Sequence, residues 1–190
     1  MDNYFDNEIF SKVNFNTLKI KKGEYDNCTF ENCNFENVHA SNIQFLECEF
    51  IDCNFSNAIV NQTAFKDCSF SDCKLIGVKF NECNPFFLQM SFKNCQLNFS
   101  SFYQLKIPNT KFINCDVKEV DFTEANVSSG VFERSNLEGA IFENTNLEKA
   151  NLKTAFNFSI SPERNRLKKA LFSKENINGL LSSYGIVIED

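Results

Sequence analysis

From Cys28 to Cys83 a large apolar residue recurs at every fifth position: Phe30, Phe35, Phe45, Phe50, Phe55, Phe65, Phe70, Leu75 and Phe80, with the smaller Ala40 and Val60 in the same frame. Two residues before each of these stands a small or aliphatic residue, such as Cys28, Cys33, Val38, Ile43, Cys48 and Cys53. We call the two slots the central and the minus-two positions. A period of five matches neither a helix face nor a strand face, and fixed self-similarity of this kind marks a repeat architecture. A second period of 20 is superimposed on the first. Cysteine pairs fall at 28/33, 48/53 and 68/73, and Ala40 and Val60 are also 20 apart. Four five-residue units therefore make one turn, and each turn stacks on the last. The pattern predicts an all-β solenoid, a four-sided coil whose central residues point inward.

The frame opens at Phe10 and Phe15, so residues 1–9 read as an N-terminal cap. The first block runs to Phe80. Central positions resume at Phe92, continue to Leu152 and extend through Leu167 and Phe172, giving a coil over residues 10–172. The step from Phe80 to Phe92 is 12, two residues more than two units, and the extra residues lie within 84–89. Pro85 fixes one backbone angle and lacks an N–H, so a kink or small loop is expected there. Phe87 reads as the displaced central residue, with its neighbours covering the kink. The competing reading makes Pro85, Phe86 and Leu88 an exposed partner-binding patch. In the second block the central residues alternate Phe with Val or Leu, which predicts phenylalanine on two opposite sides of the square and aliphatics on the other two. From Phe15 to Phe80 and from Phe92 to Leu152, none of the 54 central and minus-two positions carries a charge. About 12 charges would fall there by chance, and burying them unpaired is costly.

Residues 173–190 leave the pattern. Ser173 is a candidate helix cap. Ile177, Leu180, Leu181 and Tyr184 follow at helical spacing on one apolar face, and Gly185 suits the end of a helix. Residues 186–188 read as a brief extended segment. A solenoid needs terminal caps; this short C-terminal helix would close its own coil or dock on a second copy, and those four residues are the candidate dimer contacts.

Phenylalanine is abundant at 23 residues and tryptophan is absent. The net charge of −6, from 25 acidic and 19 basic residues, argues against direct nucleic-acid binding. The N-terminus has no basic and apolar leader, and no apolar run is long enough to span a bilayer, so a cytoplasmic location is the default. All nine cysteines occupy minus-two positions, and none forms the C-x-x-C pair typical of a zinc half-site. They read as small buried hydrophobes, with no metal and no disulfide framework. His39 falls among the outward positions. Asn14, Asn34 and Asn54, 20 apart, predict a stacked amide ladder. No catalytic constellation, phosphate-binding loop or cofactor motif is present, and a non-enzymatic binding protein is expected.

The units ANVSS, SNLEG, TNLEK and ANLKT resemble the consensus of the pentapeptide repeat family. The resemblance covers about residues 10–172 and implies a right-handed quadrilateral parallel β-helix. The end of the chain, GLLSSYGIVI from Gly179 to Ile188, is similar to that of the Qnr-like quinolone-resistance group. That likeness implies an acidic rod that mimics DNA, binds DNA gyrase and topoisomerase IV, protects them from quinolones and forms a homodimer through the C-terminal helix. Many members of that group carry protruding loops, whereas this chain has a two-residue insertion near Pro85. Its charge is also thinner than a duplex's. Residues 26–80 carry eight acidic and three basic groups, while residues 1–25 balance; a DNA duplex would hold about 20 negative charges along ~35 Å. The alternative is a structural or protein-interaction scaffold with an unrelated partner.

Overall fold

The computed structural model describes residues 3–86 and 88–186. The chain winds as a right-handed, four-sided parallel β-helix. One side, here side one, carries strands β1 (Asn3–Asp6), β3 (Gly23–Asp26), β5 (Gln44–Leu46) and β7 (Ala64–Lys66). Side two is the longest sheet, stacking β2 (Ile9–Ser11), β4 (Thr29–Glu31), β6 (Glu49–Ile51), β8 (Cys68–Ser71), β9 (Met90–Lys93), β10 (Lys111–Ile113) and β11 (Val131–Glu133). Sides three and four are held by single parallel bridges, such as Asn34 to Asn54 and Ser101 to Asp121. Each unit offers only three residues to a ladder before it must turn, so the strands are short.

The register follows the 20-residue period, with Phe30 over Phe10 and Phe50 over Phe30. It steps to 22 across the insertion, where Phe92 pairs with Phe70. Like residues therefore stack. On side two the rings from Phe10 to Phe132 form one column with centroid spacings of 4.7–5.3 Å. Neighbouring columns meet edge to face, as Phe45 and Phe50 do at 5.2 Å. Both arrangements suit the aromatic quadrupole.

The corners are made by the residue two after each central one. Among the described residues, 25 non-glycine residues have positive φ, and they recur at this slot. Asparagine and aspartate fill 14 of these positions, as expected for residues that tolerate the left-handed region. The residue before the central one closes the turn: Asn126, Asn136 and Asn146 accept from the backbone N–H two residues on, at 3.0–3.1 Å.

Two boundaries differ from the sequence reading. The coil already includes β1, because Phe5 stacks on Tyr25 at 4.5 Å. Gly23 allows this close approach; a Cβ there would lie 2.1 Å from the Asn3 carbonyl oxygen. At the other end, the C-terminal segment forms two 3-10 turns, Ile177–Leu180 and Ser182–Tyr184, rather than an α-helix. Gly179 is pressed against the Phe158 ring, and its carbonyl accepts from the Ile160 N–H at 2.9 Å, which pins the turn to the coil. Ser173 does not cap with its side chain; its N–H donates to Asn176 Oδ1 at 2.9 Å. Among the described residues, no helix is long and apolar enough to cross a membrane.

Candidate partner-binding surfaces

Three residues of every unit face outward, so each side of the rod is a regular grid set by the coil. Interior chemistry fixes how rigid that grid is. All nine cysteines are buried. Their thiols are not merely space-filling: seven of the nine reach the carbonyl of the preceding side's central residue, one coil down. Cys33 donates to Phe10 O at 3.2 Å, Cys53 to Phe30 O at 3.3 Å and Cys73 to Phe50 O at 3.4 Å. At four positions where another donor stands in place of cysteine the same bond is made. Ser135 donates to Phe112 O at 3.0 Å, Thr145 to Phe122 O at 2.8 Å and Asn165 to Phe142 O at 2.9 Å, and Thr63 makes the same bond to Ala40 O. Sequence reasoning missed this role. Its signal was the exchange of Cys with Thr and Ser, all small and all donors.

Burial holds several of these thiols in the protonated, unreactive form. It pushes Cys48 up to about 12, and raises Cys68 and Cys83 well above the ordinary thiol range. In the column on side three, hydrogen bonding to a neighbouring sulfur and burial raise Cys33, Cys73 and Cys115. Cys53 and Cys95 each lie between two sulfurs of the column, and that contact lowers them against the pull of their own burial. Among the described residues no group of His, Cys, Asp and Glu side chains is placed to hold a metal.

The break at Asn84–Gln89 interrupts side one. Asn84 N–H donates to Thr63 O and Gln89 N–H to Phe65 O, each at 3.0 Å, so both ends are tied to the coil below. Asn84 Oδ1 accepts from the Phe86 N–H at 3.0 Å, which turns the Phe86 ring outward to 72% exposure. Pro85 is exposed with it. Leu88 is buried at 8% exposure, which removes it from the patch expected from sequence. It fills interior space beside Met90 that the displaced unit would otherwise leave empty. Phe87, read as the displaced central residue, lies outside the described residues. An open groove beside the break is bordered by Asp67, Gln89, Asn109 and Lys111.

The four candidate dimer residues do not share one helical face. Leu180 packs on the core and Leu181 is half-buried. Ile177 and Tyr184 are exposed, and Tyr184 Oη donates to Glu163 Oε1 at 3.0 Å. His39 is exposed on side four, bridged to Ile59.

Acidic residues are spread around the rod. The units of sides one to four carry six, six, four and five of them, so no side forms a continuous acidic face. Many are occupied locally. Asp121 Oδ1 accepts from the Thr123 N–H at 2.8 Å and Glu124 Oε2 from Gln104 Nε2 at 2.8 Å. Asp72 Oδ1 accepts from Asn94 Nδ2 at 3.0 Å, and that ladder continues through Asn114 to Arg134. This corner column is the longer amide ladder. The one expected at Asn14, Asn34 and Asn54 is partial, because Asn54 Nδ2 turns to Glu36 Oε2 at 3.2 Å.

The model of the pentapeptide repeat region matches residues 23–85 and 86–155. Comparison with curated protein sequences gave no match. Among solved structures, full-length QnrB1, a plasmid-mediated fluoroquinolone resistance protein, is 16% identical with a TM-score of 0.54, covering 97% of this chain and 100% of that one. A trypsin-treated variant of the same protein is 16% identical with a TM-score of 0.51, covering 98% and 100%. HetL from the cyanobacterium Nostoc sp. strain PCC 7120, a pentapeptide repeat protein involved in heterocyst differentiation regulation, is 12% identical with a TM-score of 0.37, covering 90% and 86%. At 16% identity the likeness to QnrB1 is one of fold.

Proposed function

The chain belongs to the pentapeptide repeat family, and from that premise we propose that it is a non-enzymatic rod that works by binding a partner protein along its sides. The observation that carries this is the packing: ring columns and minus-two hydrogen bonds fill the interior, and the exposed chemistry is a shallow repeating grid. Such a surface recognises by shape and charge. The partner to test first is a type II topoisomerase, DNA gyrase or topoisomerase IV, with protection from quinolones as the activity. The end-to-end likeness to a fluoroquinolone resistance protein and the net charge of −6 support that reading. A second reading, a scaffold with an unrelated partner, is favoured by the even spread of acids and by the outward Phe86.

The test is gyrase supercoiling with the protein titrated in, with and without ciprofloxacin. Under the first reading, supercoiling in the presence of drug is restored at protein concentrations up to that of the enzyme. Inhibition without drug and no rescue with it would mean topoisomerase binding without protection. No effect in either arm would exclude the first reading and leave the scaffold, whose partner would then be sought by pull-down.

A further inference from the structure

The two ends of the rod are finished differently. At the C-terminal end residues 173–184 fold back onto the coil, and Leu167 and Phe172 stay half-buried there. Asn176 Nδ2 donates to Leu152 O at 2.7 Å and to Ala155 O at 2.9 Å, and Leu180 packs on the core. Among the described residues, nothing covers the N-terminal end. β1 and β2 are the outermost strands of their sheets, and the backbone groups of Tyr4, Asp6, Ile9 and Ser11 point away from the coil above. Phe5, Phe10, Val13 and Ile20 are half-buried: one face of each lies against the core and the other faces outward. Lys21 Nζ lies over the Phe5 ring at 6.0 Å. Ile9 is 71% exposed and Leu18 65%. An uncovered edge strand over an uncovered apolar ring is a pairing site unless something guards it.

The sequence of that edge is self-complementary. Around Phe10 it reads Glu8-Ile9-Phe10-Ser11-Lys12. In an antiparallel pair of two copies centred on Phe10, Ile9 faces Ser11 of the second copy, and Glu8 faces Lys12. The hydrogen-bonding parity agrees. Phe10 spends its own N–H and C=O on the coil above, where its carbonyl accepts from Cys33 Sγ at 3.2 Å. Ile9 and Ser11 have theirs free to exchange, as the hydrogen-bonded residues of an antiparallel ladder must. Charge agrees as well. Residues 1–25 carry four acidic and four basic groups, whereas residues 26–80 carry eight and three. Two copies meeting at this end avoid the repulsion they would meet along the rod.

We propose that β2 is a self-association edge: two copies join end to end at their N-terminal coils about a two-fold axis through Phe10. Such an interface is isologous and closes as a dimer. It would bury the open ring of Phe5, Phe10 and Ile20 and extend the side-two sheet across both molecules. The other candidate dimer residues, Ile177, Leu180, Leu181 and Tyr184, are at the opposite end of the rod, so the two candidate interfaces are separable.

The test is the mass and dissociation constant of the full-length chain by sedimentation, for the wild type and three variants. Ile9→Pro removes an outward N–H and is compatible with an edge strand; it should give monomers with an unchanged circular dichroism spectrum. Glu8→Lys places like charges across both symmetry-related pairs and should weaken the dimer about tenfold. Adding Lys12→Glu restores opposite charges in reversed order and should recover the wild-type constant. The backbone of that slot accepts glutamate, since Glu47 sits in the same left-handed corner position. A chain that is monomeric at every concentration would make Glu8 and Lys12 guards of the edge and overturn the proposal. So would a dimer indifferent to Ile9→Pro but lost on replacing Leu180 and Leu181 with Lys, or a charge swap that fails to restore association.

Discussion

The two halves of the rod solve one packing problem in two ways. Below the break, three adjacent sides carry aromatic columns and the fourth is small. Tyr25, Phe30 and Phe35 share a coil with Ala40, and Phe45, Phe50 and Phe55 share the next with Val60. Above it, phenylalanine occupies sides two and four: Phe112 and Phe132 face Phe122 and Phe142 across the axis, edge to face at 5.8–6.4 Å. Ile107, Val117, Val127 and Leu137 fill the sides between. The stack through Phe80, Phe102, Phe122 and Phe142 begins at the break, and on side one the column of Phe5, Tyr25, Phe45 and Phe65 gives way to Ile107 and Val127. The irregular turn thus lies where one interior pattern hands over to the other. A fixed square cross-section holds a roughly fixed volume per coil, so an added ring on one side must be met by a smaller residue on another.

The largest contrast should come from removing one ring in each half. Phe50 touches aromatic neighbours on both adjacent sides as well as above and below, among them Phe45, Phe55, Phe30 and Phe70. Phe132 meets Phe112 below and the edges of Phe122 and Phe142. Phe50→Ala should cost about 3–5 kcal/mol, and Phe132→Ala should lie at the low end of that range. Urea midpoints of the two variants measure this, and equal losses would show that the aromatic neighbours add nothing beyond burial.

A smaller effect separates minus-two residues that bond from those that only fill. Ser135 donates to Phe112 O and accepts from the Cys115 N–H, both at 3.0 Å. Ser100 is equally buried, but its hydroxyl has no partner. Ser135→Ala should cost about 1–3 kcal/mol, while Ser100→Ala should be close to neutral or stabilising. Thermal unfolding of the pair gives the comparison.

The smallest effect is with pH, and it should be confined mainly to the first block. Burial raises Cys48 from 9.0 to about 12 and also raises Tyr25. A raised pKa means that the folded rod holds the proton more tightly than the unfolded chain does. That stability is fully present below pH 9 and is lost as the pH rises towards 12. Hydrogen exchange under reducing conditions should show the coils around Cys28, Cys48 and Cys68 loosening at alkaline pH before those from Val127 to Leu152. Uniform loosening would remove the thiols as the cause. Cys48→Ser, which keeps a donor in the slot, should flatten the response.

Much of the architecture was legible because the repeat writes itself at three scales. The five-residue frame marked inward positions, the 20-residue period marked the coil, and the 12-residue step located the break. Less legible was anything that depends on where a backbone carbonyl lies. That Cys33 and Ser135 have the same partner type became visible only when the coil below supplied Phe10 O and Phe112 O. Leu88 looked like its neighbour Phe86, and only the local turn at Asn84 sent one inward and the other out. The C-terminal segment showed helical spacing at Ile177, Leu180, Leu181 and Tyr184. Spacing alone could not reveal that Asn176 and Gly179 are pulled onto the last coil.

The sequence by itself determined the family, the four-sided coil and the identity of almost every buried residue, because burial tolerates no charge and the period admits one register. The tertiary structure decided the rest: the donor role of the minus-two side chains, the split of the break into an exposed Phe86 and a buried Leu88, and the contrast between an end folded back on itself and an end whose edge strands lie uncovered among the described residues. Each depends on groups from separate turns meeting in space. A local pattern says which way a side chain faces, and only the stacked coils determine what it meets there.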